Sequence, residues 1–181
     1  MSSFKYVPLG ELCEILDSKR KPVTKSAREK GEIPYYGATG ILDYVADYIF
    51  DEKLVLLGED GAKWGAGDKS AFIIEGKTWV NNHAHVLRPN RKLILDEWLT
   101  YFLVMSDLSD YVSGVTVPKL NQGRMREILI PLPPLAEQEK LLHVLEQALE
   151  QLNLLEQETK QKMVLINELR QVTFKNVFEG K

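Results

Sequence analysis

The stretch VTVPKLNQGRMREILIPLPPLAEQEKL, from Val115 to Leu141, changes character twice within its length. It opens as a loop punctuated by Pro118 and Gly123 that carries Lys119, Asn121, Gln122 and Arg124. It passes through the short apolar strand Ile128–Ile130, reaches Pro131, Pro133 and Pro134, and then starts a helix. Each proline fixes φ near −65° and removes a backbone donor, so the cluster predicts a stiff corner between two parts of the chain. From Leu135 to about Phe178 there is no Gly or Pro, and Leu, Glu, Gln and Lys dominate. These are good helix formers, and the stretch reads as one long helix.

The apolar residues of that helix are spaced for pairing. Leu141, Leu145, Ala148, Leu152, Leu155, Thr159, Lys162, Ile166 and Leu169 follow alternating four- and three-residue steps, the seam of a coiled coil with polar breaks at Thr159 and Lys162. Leu142, Leu149, Leu154 and Leu165 widen the apolar face. About 40 helical residues span roughly 60 Å at 1.5 Å each, more than a small domain covers. The seam therefore calls for another helix.

Upstream, EIPYYGATG, KLVLLGEDG, SAFIIEG and TWVNNHAHVLRPN are β-rich runs bounded by Gly, Asp and Asn, which predicts a curled, largely antiparallel sheet. One helix interrupts it, with Asp96 as its cap, Trp98, Phe102, Met105 and Leu108 at helical spacing, and Gly114 at its end. The fold class is α+β: a globular domain over 1–134 with few helices, followed by a coiled-coil-forming helix over 135–181.

The 181 residues are 44% hydrophobic, enough for a core. A formal charge of −3 and pI near 5.7 give no global basic field, so any nucleic-acid contact must rest on local patches. The single cysteine, Cys13, can form no internal disulfide. With no signal-type N-terminus and no apolar run of about 20 residues, the chain is expected to be soluble, cytoplasmic and without a membrane partner.

Chemistry motifs are weak. GEDGAKWGAGDKS lacks the P-loop order, since Asp68 intrudes before Lys69 and a strand follows. YYGATG lacks the spacing of a dinucleotide fingerprint and reads as a turn. His83 and His85 share a strand face, but no third metal ligand stands at a familiar spacing, and we read them as structural. There is no nucleophile elbow and no base near Cys13. We expect no catalytic residues, no metal and no cofactor.

Three donor-bearing loops remain. Lys19, Arg20 and Lys21 lie in one, Asp60, Lys63 and Trp64 in a second, and Thr116, Lys119, Asn121, Gln122 and Arg124 in the third. Arg and Lys suit guanine edges, Asn and Gln suit adenine edges, and all can hold phosphates. A solvated surface would explain each charge singly; as a group they suggest DNA.

The segment LNQGRMREILIPLPPLAEQEKL resembles the junction in specificity subunits of type I restriction-modification systems, where a target-recognition domain ends in a short strand and a long helix follows. IPYYGATGILDYVADYIFDEKLVLLGEDGA and WVNNHAHVLRP are similar to recognition domains of that family. The likeness runs from Val7 to Gly180, although the tail has Val177, Phe178, Glu179 and Gly180 where the family usually closes in Ala-Phe-Ser-Gly. The family's usual subunit carries two recognition domains and two helices; this chain resembles half of one. The resemblance implies antiparallel helices acting as a ruler between two recognition domains on a bipartite double-stranded DNA site, the second helix coming from a second copy. It also implies partners: modification subunits that bind S-adenosylmethionine and methylate adenine, and a restriction subunit that uses ATP. Two other readings stand beside it, a stand-alone methyltransferase or nuclease with an unfamiliar site, and a coiled-coil scaffold.

Overall fold

The computed structural model describes residues 4–180. In chain order the elements begin with β1 (Tyr6–Pro8), α1 (Leu9–Leu12), β2 (Cys13–Ile15), β3 (Lys30–Gly37), β4 (Gly40–Val45), β5 (Phe50–Asp51) and β6 (Leu54–Gly58). They continue with β7 (Ala71–Ile74), β8 (Lys77–Val80), β9 (Ala84–Pro89), α2 (Asp96–Met105), α3 (Gln122–Arg126), β10 (Leu129–Pro131) and α4 (Leu135–Phe178). The mixed α+β class is as read from the sequence. The strands form two four-stranded sheets, in the orders β2-β9-β6-β7 and β4-β3-β8-β5, with β1 and β10 as a separate pair. All pairings are antiparallel except β3 with β8.

Strand β6 shows why LVLLG is a continuous apolar run. Successive side chains point to opposite faces of a sheet. Val55 and Leu57 enter one hydrophobic cluster with Leu87, Leu99, Leu103 and Leu120, whereas Leu54 and Leu56 enter a second with Phe50, Ile74, Val80 and Val86. Both faces are covered, so no polar residue interrupts the strand. Neighbouring β9 pairs Val55 with Leu87 and Leu57 with His85, which sets the His85 ring on the face of the first cluster.

Helix α2 corrects one expectation. Its N-cap is Leu95, with no side-chain cap bond, and the helix ends at Met105, so Leu108 and Gly114 lie beyond it. Asp96 is instead a buried ion-pair centre, accepting from Arg91 at 3.0 Å and lying 3.6 Å from the Lys53 ammonium. Gly114 bends the following loop at φ +93°, where a Cβ would meet the Val117 carbonyl at 2.4 Å.

Two compact units are distinguished, one extending to Glu139 and the other beginning at Lys140. The first turn of α4 thus packs with the globular unit. Its anchor is Gln138, fully buried: Oε1 accepts from the Leu95 N–H at 2.9 Å, and Nε2 donates to the carbonyls of Leu93 (2.9 Å) and Pro133 (2.8 Å). Trp98 Nε1 donates to the Pro131 carbonyl at 2.8 Å, fixing the proline strand from the other side. The second unit is helix throughout to Phe178, and every residue described after position 150 is exposed, including Leu152, Leu155, Leu165, Ile166 and Leu169. No helix of the described residues is long and apolar enough to cross a membrane.

Candidate nucleic-acid interface

The three donor-bearing loops converge on two buried carboxylates. Asp17 opens a single tight helical turn after buried Leu16. Its Oδ1 accepts from the Val86 N–H at 2.9 Å; its Oδ2 accepts from His85 Nδ1 at 2.6 Å and from Gln122 Nε2 at 2.9 Å. Glu59 follows β6 directly and takes Arg20 Nη1 at 2.5 Å and Lys119 Nζ at 2.8 Å. Backbone bonds lock the same loops together, Glu59 N–H to the His83 carbonyl and Leu120 N–H to the Glu59 carbonyl, each at 2.8 Å.

Charge balance follows from this packing. Burial raises the Asp17 carboxyl, but the bonds from His85 and Gln122 and the charge of His85 outweigh it and hold it below its ordinary value. Glu59 is likewise lowered, burial being overcome by Lys119 and Arg20. Lys119 is raised in return, chiefly by its bond to Glu59. Asp17, Glu59 and His85 are the one group among the described residues whose donors, within 4.8 Å of one another, match metal-ligand spacing. The guanidinium of Arg20 and the ammonium of Lys119 already neutralise these carboxylates, so the donor set is that of an ion-pair network. Of the histidine pair, His83 pairs with Asp60 and His85 with Asp17, so the two serve different carboxylates.

The residues singled out in the sequence fall into three groups. Arg20, Lys119 and Gln122 meet in the network, and Arg20 is mostly enclosed, donating also to the Ala84 carbonyl at 2.8 Å. Lys19, Lys63, Thr116, Asn121 and Arg124 are exposed on the same loops and on α3. Asn121 Nδ2 donates to Ser113 Oγ at 2.7 Å, and Arg124 is steadied by Glu127 and by the Asp110 carbonyl. Trp64 turns inward: it is 7% exposed, sits in the first hydrophobic cluster and donates from Nε1 to the Gly58 carbonyl at 3.0 Å. It anchors the loop that presents Lys63. On α4, Leu141 and Leu145 are half-buried and Ala148, Leu152, Leu155, Ile166 and Leu169 exposed.

The organising residues Asp17, Glu59 and His85 were not singled out together from the sequence. Their signal is an acidic residue beside each basic one, in LDSKR and in GEDGAK, with an in-pointing His on the adjoining strand. Such a pattern names no partner until the loops are brought together.

The geometry is that of a mixed α+β domain with exposed polar loops over an ion-pair network, followed by a long helix with an apolar seam. The type I restriction modification DNA specificity domain matches residues 1–163, and the chain belongs to that family. A putative type I restriction enzyme specificity subunit of Haemophilus influenzae is 36% identical over 145 residues, 80% of this chain and 37% of that protein. This chain thus spans little more than a third of that relative's length. Among solved structures, a chain from work on complex assembly and conformational transition of the type I R-M system superposes with a TM-score of 0.69, at 21% identity, covering 95% of this chain and 45% of that one. The HsdS subunit of Thermoanaerobacter tengcongensis gives 0.58 at 21% identity, covering 82% and 38%. These likenesses show the fold.

Proposed function

We propose that this chain is a non-catalytic recognition component of a type I restriction-modification complex in the cytoplasm, reading one part of a bipartite double-stranded DNA site. Residues 1–134 would read DNA, and 135–181 would act as spacer and dimerisation helix. The observation that carries the reading is that the three loops meet at one ion-pair network through Arg20, Lys119, Gln122 and the neighbouring backbone bonds, while Lys19, Lys63, Thr116, Asn121, Gln122 and Arg124 on those loops are exposed. Exposed Arg and Lys can hold phosphates while Asn and Gln address base edges. Arg20 and Lys119, engaged by carboxylates, would shape the loops. The exposed seam of α4 supports antiparallel pairing with the helix of a second copy. Methylation and cleavage would belong to modification and restriction subunits recruited to the assembly, with no cofactor held by this chain.

The test is methylation mapping of DNA from cells carrying this chain with its cognate modification subunit. A discrete interrupted motif, absent when the chain is deleted, is the expected outcome. Methylation or cleavage by the purified chain alone would overturn it in favour of an enzyme. A complex that forms but shows no sequence preference would favour a scaffold.

A further inference from the structure

The His85 ring is fully buried, and both of its nitrogens face acceptors: Nδ1 lies 2.6 Å from the Asp17 carboxylate and Nε2 lies 2.7 Å from the Leu120 carbonyl. A neutral imidazole has one N–H and one lone pair, so it can satisfy only one of these contacts; a ring with both nitrogens protonated satisfies both. Two carboxylates face the ring, Asp17 from its tight turn and Glu59 from the end of β6, the latter 3.7 Å from Nδ1. Two cations face those carboxylates in turn, Arg20 and Lys119. The second consequence lies at Gln122. Asp17 Oδ2, bound as a carboxylate, only accepts, so the atom of the Gln122 amide that faces it at 2.9 Å must be the nitrogen. The side-chain oxygen Oε1 has no hydrogen-bond partner among the described residues, and Gln122 itself is exposed.

We infer that His85 and Asp17 are positioning residues for the recognition loop: a doubly protonated His85 ties the loop at Leu120 to Asp17, and Asp17 fixes the Gln122 amide with its oxygen and one N–H free for a base edge. That inference rests on the DNA reading for the role of Gln122, whereas the protonated ring stands on the geometry of this chain alone. An oxygen held in this sense accepts from an exocyclic amine, N6 of adenine or N4 of cytosine. Replacing Asp17 by Asn keeps the shape but supplies an amide N–H₂ that can donate to Oε1, so the Gln122 amide turns over and offers its own N–H₂ outward. The preferred base then changes to one presenting an acceptor at that position, guanine O6 or thymine O4.

The experiment has two arms on the full chain. In the first, ¹⁵N-labelled histidine is observed by NMR at neutral pH in the chain without DNA, and His85 is expected to show protons on both ring nitrogens in the wild type and to lose one in Asp17→Asn. In the second, base preference is measured for the complex with its modification subunit; Asp17→Asn is expected to shift preference at one base pair of the half-site by about tenfold or more while non-specific DNA affinity is kept. Should Asp17→Asn fail to fold, the surface variant Gln122→Glu, whose carboxylate is repelled by Asp17, serves instead and is expected to lose discrimination at that same base pair. A single protonated nitrogen on His85 in the wild type overturns the inference, as does an unchanged base preference in a folded variant. A wild-type complex with no sequence preference overturns the DNA reading and the role of Gln122 with it, and is told apart because the first arm needs no DNA.

Discussion

Individual side chains carry this domain's rigidity through a few buried polar groups whose every bond is used. Gln138 satisfies three backbone groups from a fully buried position, and replacing it by Ala leaves the Leu95 N–H and two carbonyls unpaired. The expected loss is about 2–3 kcal/mol, read as a lowered urea midpoint with an unchanged slope. Trp64 is a second such point. Its truncation to Ala opens a cavity and releases the loop bearing Lys63, at an expected cost of about 3–5 kcal/mol in the same measurement. Asp17 and Glu59 add a pH dependence whose direction follows from their lowered carboxyl values. A depressed carboxylate contributes stability that is complete above the ordinary range near 4 and is lost as pH falls through the lowered value. Unfolding midpoints measured from pH 6 down to about pH 2 should drop more steeply for the wild type than for Asp17→Asn.

Among the elements, α4 is the one whose properties are mostly written in its own residues. Its 44 residues carry an apolar seam that is exposed from Ala148 onward. Replacing Leu145 and Leu152 together by Asp places two charges in that seam; sedimentation at micromolar concentration is expected to show a dimer for the unmodified chain and a monomer for the variant. A stable monomer of the unmodified chain under the same conditions would remove the basis for pairing. Strand β6 is the opposite case. Its apolar run announces a strand, yet the division of Leu54 and Leu56 from Val55 and Leu57 between two clusters depends on what covers each face. Helix α2 shows a local signal being overridden: Asp96 stands where a cap is expected, but its carboxylate turns to Arg91, five residues before it, and to Lys53, which arrives from a distant part of the chain at the start of β6.

For the whole molecule, a paired assembly has a consequence for its DNA. Two identical recognition domains related by a twofold axis read identical half-sites in opposite orientation, so the target should be an interrupted palindrome. A helix of roughly 60 Å beside a duplex repeating every ~34 Å separates the domains by somewhat under two turns, for a footprint on the order of 15–20 bp. Deleting one heptad from α4 should remove ~10 Å and shorten the unread spacer by about three base pairs, with both half-sites intact. Methylome mapping checks both expectations. An asymmetric motif, or a spacer indifferent to helix length, would show that this chain works beside a different recognition domain or that α4 is not the ruler.

The sequence by itself determined the features that depend on near neighbours along the chain. The proline-rich break before α4, the helix from Leu135 to Phe178 with its seam, the β-rich character of the first part and the family likeness were all legible, because backbone restriction and periodicity act over a few residues. It also marked Arg20, Lys119 and Gln122 as polar groups of interest. Only the tertiary structure decided that they share one network, that Trp64 faces the core, and that His85 sits with acceptors at both nitrogens. The physical reason is separation in the chain. Asp17 and Gln122 are 105 residues apart, and Asp17 and His85 are 68 apart. Whether a charged side chain is solvated or paired is set by which loops the folded sheets bring within about 3 Å, and no local pattern encodes that meeting.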